Sequence, residues 1–133
     1  MSGIFLDSNV ILYLLSADQH KADTAEALLT RNPTISVQVL NEVTSVCLRK
    51  LKMPWPEIHE LLNAVKAACQ IVPLTVETHG QAMQIAQQHQ LSFYDAHILA
   101  AAQACGATAL MTEDLHNGQT VQGIEIQNPF TLQ

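Results

Sequence analysis

Ile4-Phe5-Leu6-Asp7-Ser8-Asn9-Val10-Ile11-Leu12-Tyr13 is the stretch whose reading decides the fold. Three apolar residues run into an aspartate, two small polar residues follow, and a second apolar run begins. The first run reads as a short buried strand and the second as the start of a helix. Asp7 therefore stands where a strand hands over to a helix. In open α/β sheets that edge, outside the carboxyl ends of the strands, is where ligands bind. A charge placed there needs a partner, and a cation is an obvious one.

Working outward, the same alternation recurs. Val10 to Leu15 starts a helix or a tight turn of one, and Asp18 to His20 breaks it. Ala22, Ala25, Leu28 and Leu29 mark one face of the next helix, which Asn32-Pro33 ends. Thr34 to Val37 reads as a strand, and Val39, Leu40, Val43, Val46 and Cys47 have helical spacing up to the basic cluster Arg49-Lys50-Leu51-Lys52. Pro56 suits the first turn of a helix whose stripe is Ile58, Leu61, Leu62, Val65 and Cys69. Ile71-Val72-Pro73-Leu74 predicts a short strand, placed at an edge by its proline. Thr75 or Thr78 caps the next helix. Ser92 begins another, running through small residues to Ala104, with Gly106 as its C-terminal cap. Ala107 to Met111 predicts a buried strand, Asn117-Gly118 a turn, and Ile124 to Ile126 a last strand. Strands alternating with helices predict a parallel sheet covered on both faces. No repeat, low-complexity segment or linker divides residues 1–133, so a single domain is expected.

The 133 residues suffice for one real core, and 48% apolar residues argue against disorder. Only 14% are charged, which suits surface hidden in an oligomer or against a partner. The formal net charge of -6 does not favour nucleic acid, so cations or a local basic patch must overcome it. Cys47, Cys69 and Cys105 are odd in number and widely spaced, which fits core packing in a reducing, cytoplasmic compartment. No convincing signal peptide is present. The longest apolar run, Val10 to Leu15, is too short to span a bilayer.

Three further acids bear on the edge where Asp7 sits. Glu42 falls at the margin of an apolar helix face and, taken alone, reads as a solvated glutamate. Ser92 and Asp95 have the S-x-x-D spacing of a capping box. That spacing accounts for the acid, but not for the preceding Phe93-Tyr94 or the small residues after it, which let a helix pack close to a sheet. Asp114 follows the strand ending at Met111, and Thr112 is placed to cap a short helical turn with Glu113 and Asp114 near its start. Together, Asp7, Asp95 and Asp114 can point at one end of a parallel sheet. Crowded unpaired carboxylates repel one another. Divalent cations remove that problem, and an all-oxygen set suits Mg²⁺ or Mn²⁺ rather than Zn²⁺.

Four segments, Phe5-Leu6-Asp7-Ser8-Asn9, Asn41-Glu42-Val43, Tyr94-Asp95-Ala96 leading into Ala100-Ala101-Ala102, and Leu110-Met111-Thr112-Glu113-Asp114, together resemble a PIN-domain ribonuclease. Within that family they look like a VapC-type toxin of a bacterial toxin–antitoxin pair. The resemblance spans nearly the whole chain. It implies a three-layer α/β/α sandwich with a five-stranded parallel sheet. It also implies that Asp7, Glu42, Asp95 and Asp114 form an acidic metal-binding quartet, with Ser8 or Asn9 holding Asp7 or its water and Thr112 orienting the last acid. The implied activity is metal-dependent endoribonuclease cleavage, by in-line attack of water on phosphorus, leaving a 5′-phosphate and a 3′-hydroxyl. Homodimerisation, silencing by a VapB-like antitoxin, and contact with operator DNA only through that antitoxin are implied as well.

For substrate contacts, Arg49, Lys50 and Lys52 form the only dense basic cluster, although positive residues at a helix C-terminus need no ligand to explain them. His116 is a candidate substrate contact. His97 lies two residues past Asp95, a step that turns a helical side chain away, so a structural or exposed role is expected. His20, His59, His79 and His89 show no ligand spacing. Three other readings compete: a housekeeping RNA-processing nuclease with the same site, a phosphatase using Asp7 as nucleophile, and a non-catalytic module whose acidic groove receives a basic partner. Asn9 argues against the phosphatase, which would place a second acid there.

Overall fold

A computed structural model describes residues 3–131. The strands are β1 (Ile4–Leu6), β2 (Thr34–Ser36), β3 (Gln70–Val72), β4 (Ala109–Met111), β5 (Thr120–Val121) and β6 (Ile124–Gln127). They form one sheet in the order β3-β2-β1-β4-β6-β5. The helices are α1 (Ser8–Leu12), α2 (Gln19–Leu29), α3 (Val37–Arg49), α4 (Trp55–Ala68), α5 (Val76–His89) and α6 (Phe93–Ala104), with a 3₁₀ turn at Tyr13–Leu15.

The central strands β1 and β4 are short and wholly or largely buried, as unbroken apolar runs demand. They pair in parallel through Phe5 with Leu110 and Leu6 with Met111. On the other flank of β1, Phe5 pairs with Thr34 of β2, and Ile35 with Ile71 of β3. The chain fills β2 and β3 on one side of β1 and later β4 and β6 on the other. The order therefore reverses between β1 and β4, and a crevice opens outside their carboxyl ends. Alanines at positions 96 and 100–102 are buried with Ile98 and Leu99 in an unbroken run from Ala96 to Ala102. This small-residue surface brings α6 close to the sheet and to α5.

The sheet has six strands rather than five, and β5 runs antiparallel to β6. The extra strand belongs to a hairpin whose two-residue turn, Gln122-Gly123, has φ of 54° and 79°. Positive φ at both positions is the two-residue hairpin solution. Glutamine is an unusual residue there, so the turn left little trace in the sequence. β3 is an edge strand as Pro73 required, with the proline just past its end. Thr112 does not start a helical turn: bends follow β4 up to the turn at 117–118. No helix among the described residues is long and apolar enough to cross a membrane. Cys47, Cys69 and Cys105 are free thiols.

Candidate metal centre

The site is built at the reversal point. Asp7 leaves β1 in extended conformation and caps α1, its Oδ1 accepting from Ser8 N–H at 2.7 Å. Its own N–H donates to Met111 O at 3.0 Å, which ties it to the end of β4. Only 3% of Asp7 is exposed. Thr112, fully buried one residue beyond β4, donates its hydroxyl to Asp7 Oδ2 at 2.8 Å and accepts from Asp114 N–H at 3.1 Å. Thr112 thus orients both acids, through a hydroxyl rather than through a helical turn.

Asn9 is a second bridge. Its Nδ2 lies 3.1 Å from both Thr112 Oγ1 and Asp114 Oδ2 and 3.5 Å from Asp7 Oδ2, and its Oδ1 accepts from Glu113 N–H at 3.3 Å. Glu113, next to Asp114, faces elsewhere: Tyr13 donates its hydroxyl to that carboxylate at 2.9 Å.

Asp95 arrives from the first turn of α6. Ser92 caps that helix by accepting from Asp95 N–H at 3.1 Å. One ligating atom from each of Asp7, Asp95 and Asp114 lies within 4.8 Å of the others. Three acids from three separated segments therefore converge, one buried, one half-buried and one exposed. Glu42 stands outside this trio on α3. Gln38 Nε2 donates to its Oε2 at 3.2 Å, and its charge acts on Asp7.

Burial pushes the Asp7 carboxyl up to about 6, opposed by the donors Thr112 and Ser8 and reinforced by the charges of Glu42 and Asp114. Burial also raises Asp95, against the Ser92 hydroxyl and with the charge of Asp114. A bound cation would relieve this crowding, in which Asp7 is buried, Asp95 half-buried and Asp114 exposed. The donors are all hard oxygens, and their spacing suits one ion shared among them, so the residues fit Mg²⁺ or Mn²⁺.

The basic cluster is at the far end of α3. Arg49, Lys50 and Lys52 are exposed, and Arg49 shares a groove with Glu42. His116 is exposed in the segment after Asp114 and joins no metal-ligating group among the described residues. His97 is buried, with 7% exposed, and its Nδ1 is hydrogen-bonded to Gln38 Oε1. Gln38 escaped the sequence reading. A polar residue two places into a helix carries no pattern, and its burial depends on α6 lying across it.

Ser92→Ala leaves the Asp95 N–H without its cap. A loss of about 1 kcal/mol in stability is expected, read as a lower urea midpoint with an unchanged slope.

Comparisons with known proteins agree with this geometry. A profile described as the PIN domain matches residues 4–117. Among solved structures, the chain is similar to a toxin–antitoxin complex from Klebsiella pneumoniae, with a TM-score of 0.74 and 20% identity over 96% of this chain and 98% of that one. It is similar to the sarcin-ricin loop cleaving toxin VapC20 from Mycobacterium tuberculosis, with a TM-score of 0.61 and 23% identity over 84% of this chain and 89% of that one. It is also similar to DNA-bound VapBC from Salmonella typhimurium, with a TM-score of 0.70 and 18% identity over 97% and 99% of the two chains. At these identities the likeness speaks for the fold. No curated protein matches the chain.

Proposed function

The chain belongs to the PIN domain family, and on that premise we propose that it is a metal-dependent endoribonuclease, the toxin of a VapBC-type toxin–antitoxin pair. The observation that carries the reading is the convergence of Asp7, Asp95 and Asp114 at the crevice between β1 and β4.

In this reading Asp7, Asp95 and Asp114 hold Mg²⁺ or Mn²⁺, with Glu42 as the fourth acid at the edge of the site. The cation, when bound, supplies an activated water and stabilises charge developing on the phosphate. The protein's part is orientation. Thr112 and Ser8 direct the two oxygens of Asp7, and Asn9 fixes Asp114 against it. Water adds to phosphorus and the bond to the 3′ oxygen breaks. The attacking water gives up a proton and the leaving oxygen gains one. No carboxylate serves as a nucleophile, so Asn9 need not be an acid.

RNA is the substrate, with Arg49, Lys50, Lys52 and His116 as its candidate contacts. A net charge of -6 leaves no strong general pull on nucleic acid, so affinity comes from the cation and local contacts. The partner is a VapB-like antitoxin, and operator DNA is reached only through it. Similarity to toxins solved in antitoxin complexes, one of them DNA-bound, supports that assignment. A homodimer, a single domain over residues 1–133 and a cytoplasmic location complete the proposal.

The test is incubation of antitoxin-free protein with a mixed RNA pool in Mn²⁺, Mg²⁺ or excess EDTA, followed by sequencing of the ends. Discrete cuts that require metal and carry 5′-phosphates are expected. Folded protein that binds Mn²⁺ yet cuts nothing in the pool would overturn the nuclease in favour of an acidic docking module.

A further inference from the structure

A groove of about 560 Å³, within the size range of small-ligand sites, is lined by Glu42 and by Phe93 and Tyr94, which directly precede Asp95. One wall is a polar stripe of α3. Gln38, Glu42 and Arg49 lie on it at spacings of four and seven residues, which place them along one helix face. The other wall is the start of α6, where the two aromatics lie. Tyr94 is 66% exposed and Phe93 37% exposed, in a chain with only 5% aromatic residues.

Hydrogen bonds through Gln38 tie the two walls together at the base of the groove. Gln38 is 6% exposed, and its Nε2 donates both to Glu42 Oε2 and to Tyr94 O, at 3.2 and 3.1 Å. That leaves Oε1 to face His97, so His97 Nδ1 carries the proton. Its Nε2 is buried without a partner. Phe93 stacks on the His97 ring at 5.7 Å with planes 16° apart, and Tyr94 meets Phe93 edge-on at 6.0 Å. One buried amide therefore joins both walls and fixes the backbone of the exposed tyrosine. Core packing does not account for an aromatic that is two-thirds exposed and held by its own carbonyl.

The groove is thus acidic at Glu42, aromatic along α6 and basic at Arg49, which is exposed and carries no ion pair among the described residues. Single-stranded nucleic acid is recognised by that combination of stacking surface and cation, because an unpaired base has a free face and each phosphate a charge. We propose that this groove is the subsite for the nucleotide flanking the scissile phosphate of single-stranded RNA, its base stacked on Tyr94 and its phosphate held by Arg49. The assignment rests on the nuclease reading above. It also explains how an acidic protein would engage RNA: a cation held by Asp7, Asp95 and Asp114 would neutralise charge at the scissile phosphate, and Arg49 would meet the neighbouring one. A base paired in a duplex presents no free face to Tyr94, so the subsite selects loops and open strands.

Two measurements test it. Photo-crosslinking of a short single-stranded RNA carrying 5-iodouridine, with Ca²⁺ in place of Mn²⁺ or Mg²⁺, reads binding separately from cleavage. The expected crosslink maps to Phe93 or Tyr94 and is lost when the RNA is annealed into a duplex. Separately, the pool cleavage is repeated with Tyr94→Ala, Tyr94→Phe and Arg49→Ala. Tyr94→Ala is expected to lose base preference at one flanking position and about ten- to a hundredfold in kcat/KM, mostly through KM, while Tyr94→Phe retains the preference. Arg49→Ala lowers the salt dependence of binding by about one phosphate contact. Crosslinks outside the groove, or wild-type cuts whose sites and rates Tyr94→Ala leaves unchanged, overturn the subsite and leave the groove to a protein partner. Absence of wild-type cleavage with the crosslink still at Tyr94 removes the nuclease and keeps an RNA-binding groove.

Discussion

Asp95→Asn and Asp7→Asn should each reduce metal-dependent RNA cleavage by at least about a thousandfold, equivalent to about 4 kcal/mol of barrier. The two acids differ in burial and in origin, one on α6 and one after β1, yet each contributes an oxygen to the same cluster with Asp114. Replacing either with an amide removes one of the three clustered carboxylates that would draw a cation to this crevice. The neutral oxygen that remains is a poor substitute, because the interaction with a hard dication is dominated by charge. Glu113→Gln is the matched control. It removes a carboxylate next to Asp114, but one that is engaged by Tyr13 rather than by the cluster. Its rate should stay within about twofold to threefold of wild type, since a lost surface hydrogen bond moves little. Initial rates in Mn²⁺, with circular dichroism spectra of each variant, decide the matter. Equal losses in Glu113→Gln and Asp95→Asn would mean that overall negative charge, and not this cluster, is responsible.

The second large effect concerns stability. Burial holds the Asp7 carboxyl at about 6 in the folded, metal-free protein, against 3.8 for the free side chain. A carboxyl raised on folding binds more protons in the folded state than in the unfolded one between those two values. Stability therefore falls as pH rises from about 4 to about 6 and stays lowered above it. The difference corresponds to about 3 kcal/mol from this group at neutral pH. Asp7→Asn removes the charge while keeping an oxygen to accept from Ser8 N–H, although the hydrogen bond from Thr112 is weakened. A net gain of about 1–2 kcal/mol at pH 8, and a flatter pH profile, are expected once a lost hydrogen bond of about 1 kcal/mol is subtracted. Mn²⁺ should raise the melting temperature of the wild type and do so far less for the variant. Urea unfolding at pH 5 and pH 8 measures the first effect and a thermal melt with Mn²⁺ the second. A wild type more stable at pH 8 than at pH 5, by more than its other groups explain, would refute the placement of a frustrated acid. A site that is costly without its ligand is the expected signature of function.

Much of this was legible in the chain itself. Short apolar runs ending in Asp7 and before Thr112 specify buried parallel strands, because only a strand covered on both faces is apolar at every position. The S-x-x-D spacing specifies the start of α6, because Ser92 can reach the Asp95 amide only across one turn. The small residues after it specify close packing of that helix. That Asp7, Asp95 and Asp114 can share one end of the sheet follows from their positions at strand ends and a helix start.

Other features were decided only by tertiary structure. The sixth strand formed because β6 offered an edge and Gln122 accepted a positive φ beside Gly123, which the glutamine's own preference did not announce. Glu113 and Asp114 are neighbours with the same charge, and their separation depends on Tyr13 and Asn9 arriving from α1 and the turn after it. Glu42 stands beside the trio instead of within it because Gln38 anchors its carboxylate, and Gln38 is itself held by a histidine 59 positions along the chain. Local pattern thus determines which acids lie at the sheet's edge, since that depends only on where a strand stops or a helix starts. Which of them meet depends on contacts between residues that the sequence keeps far apart.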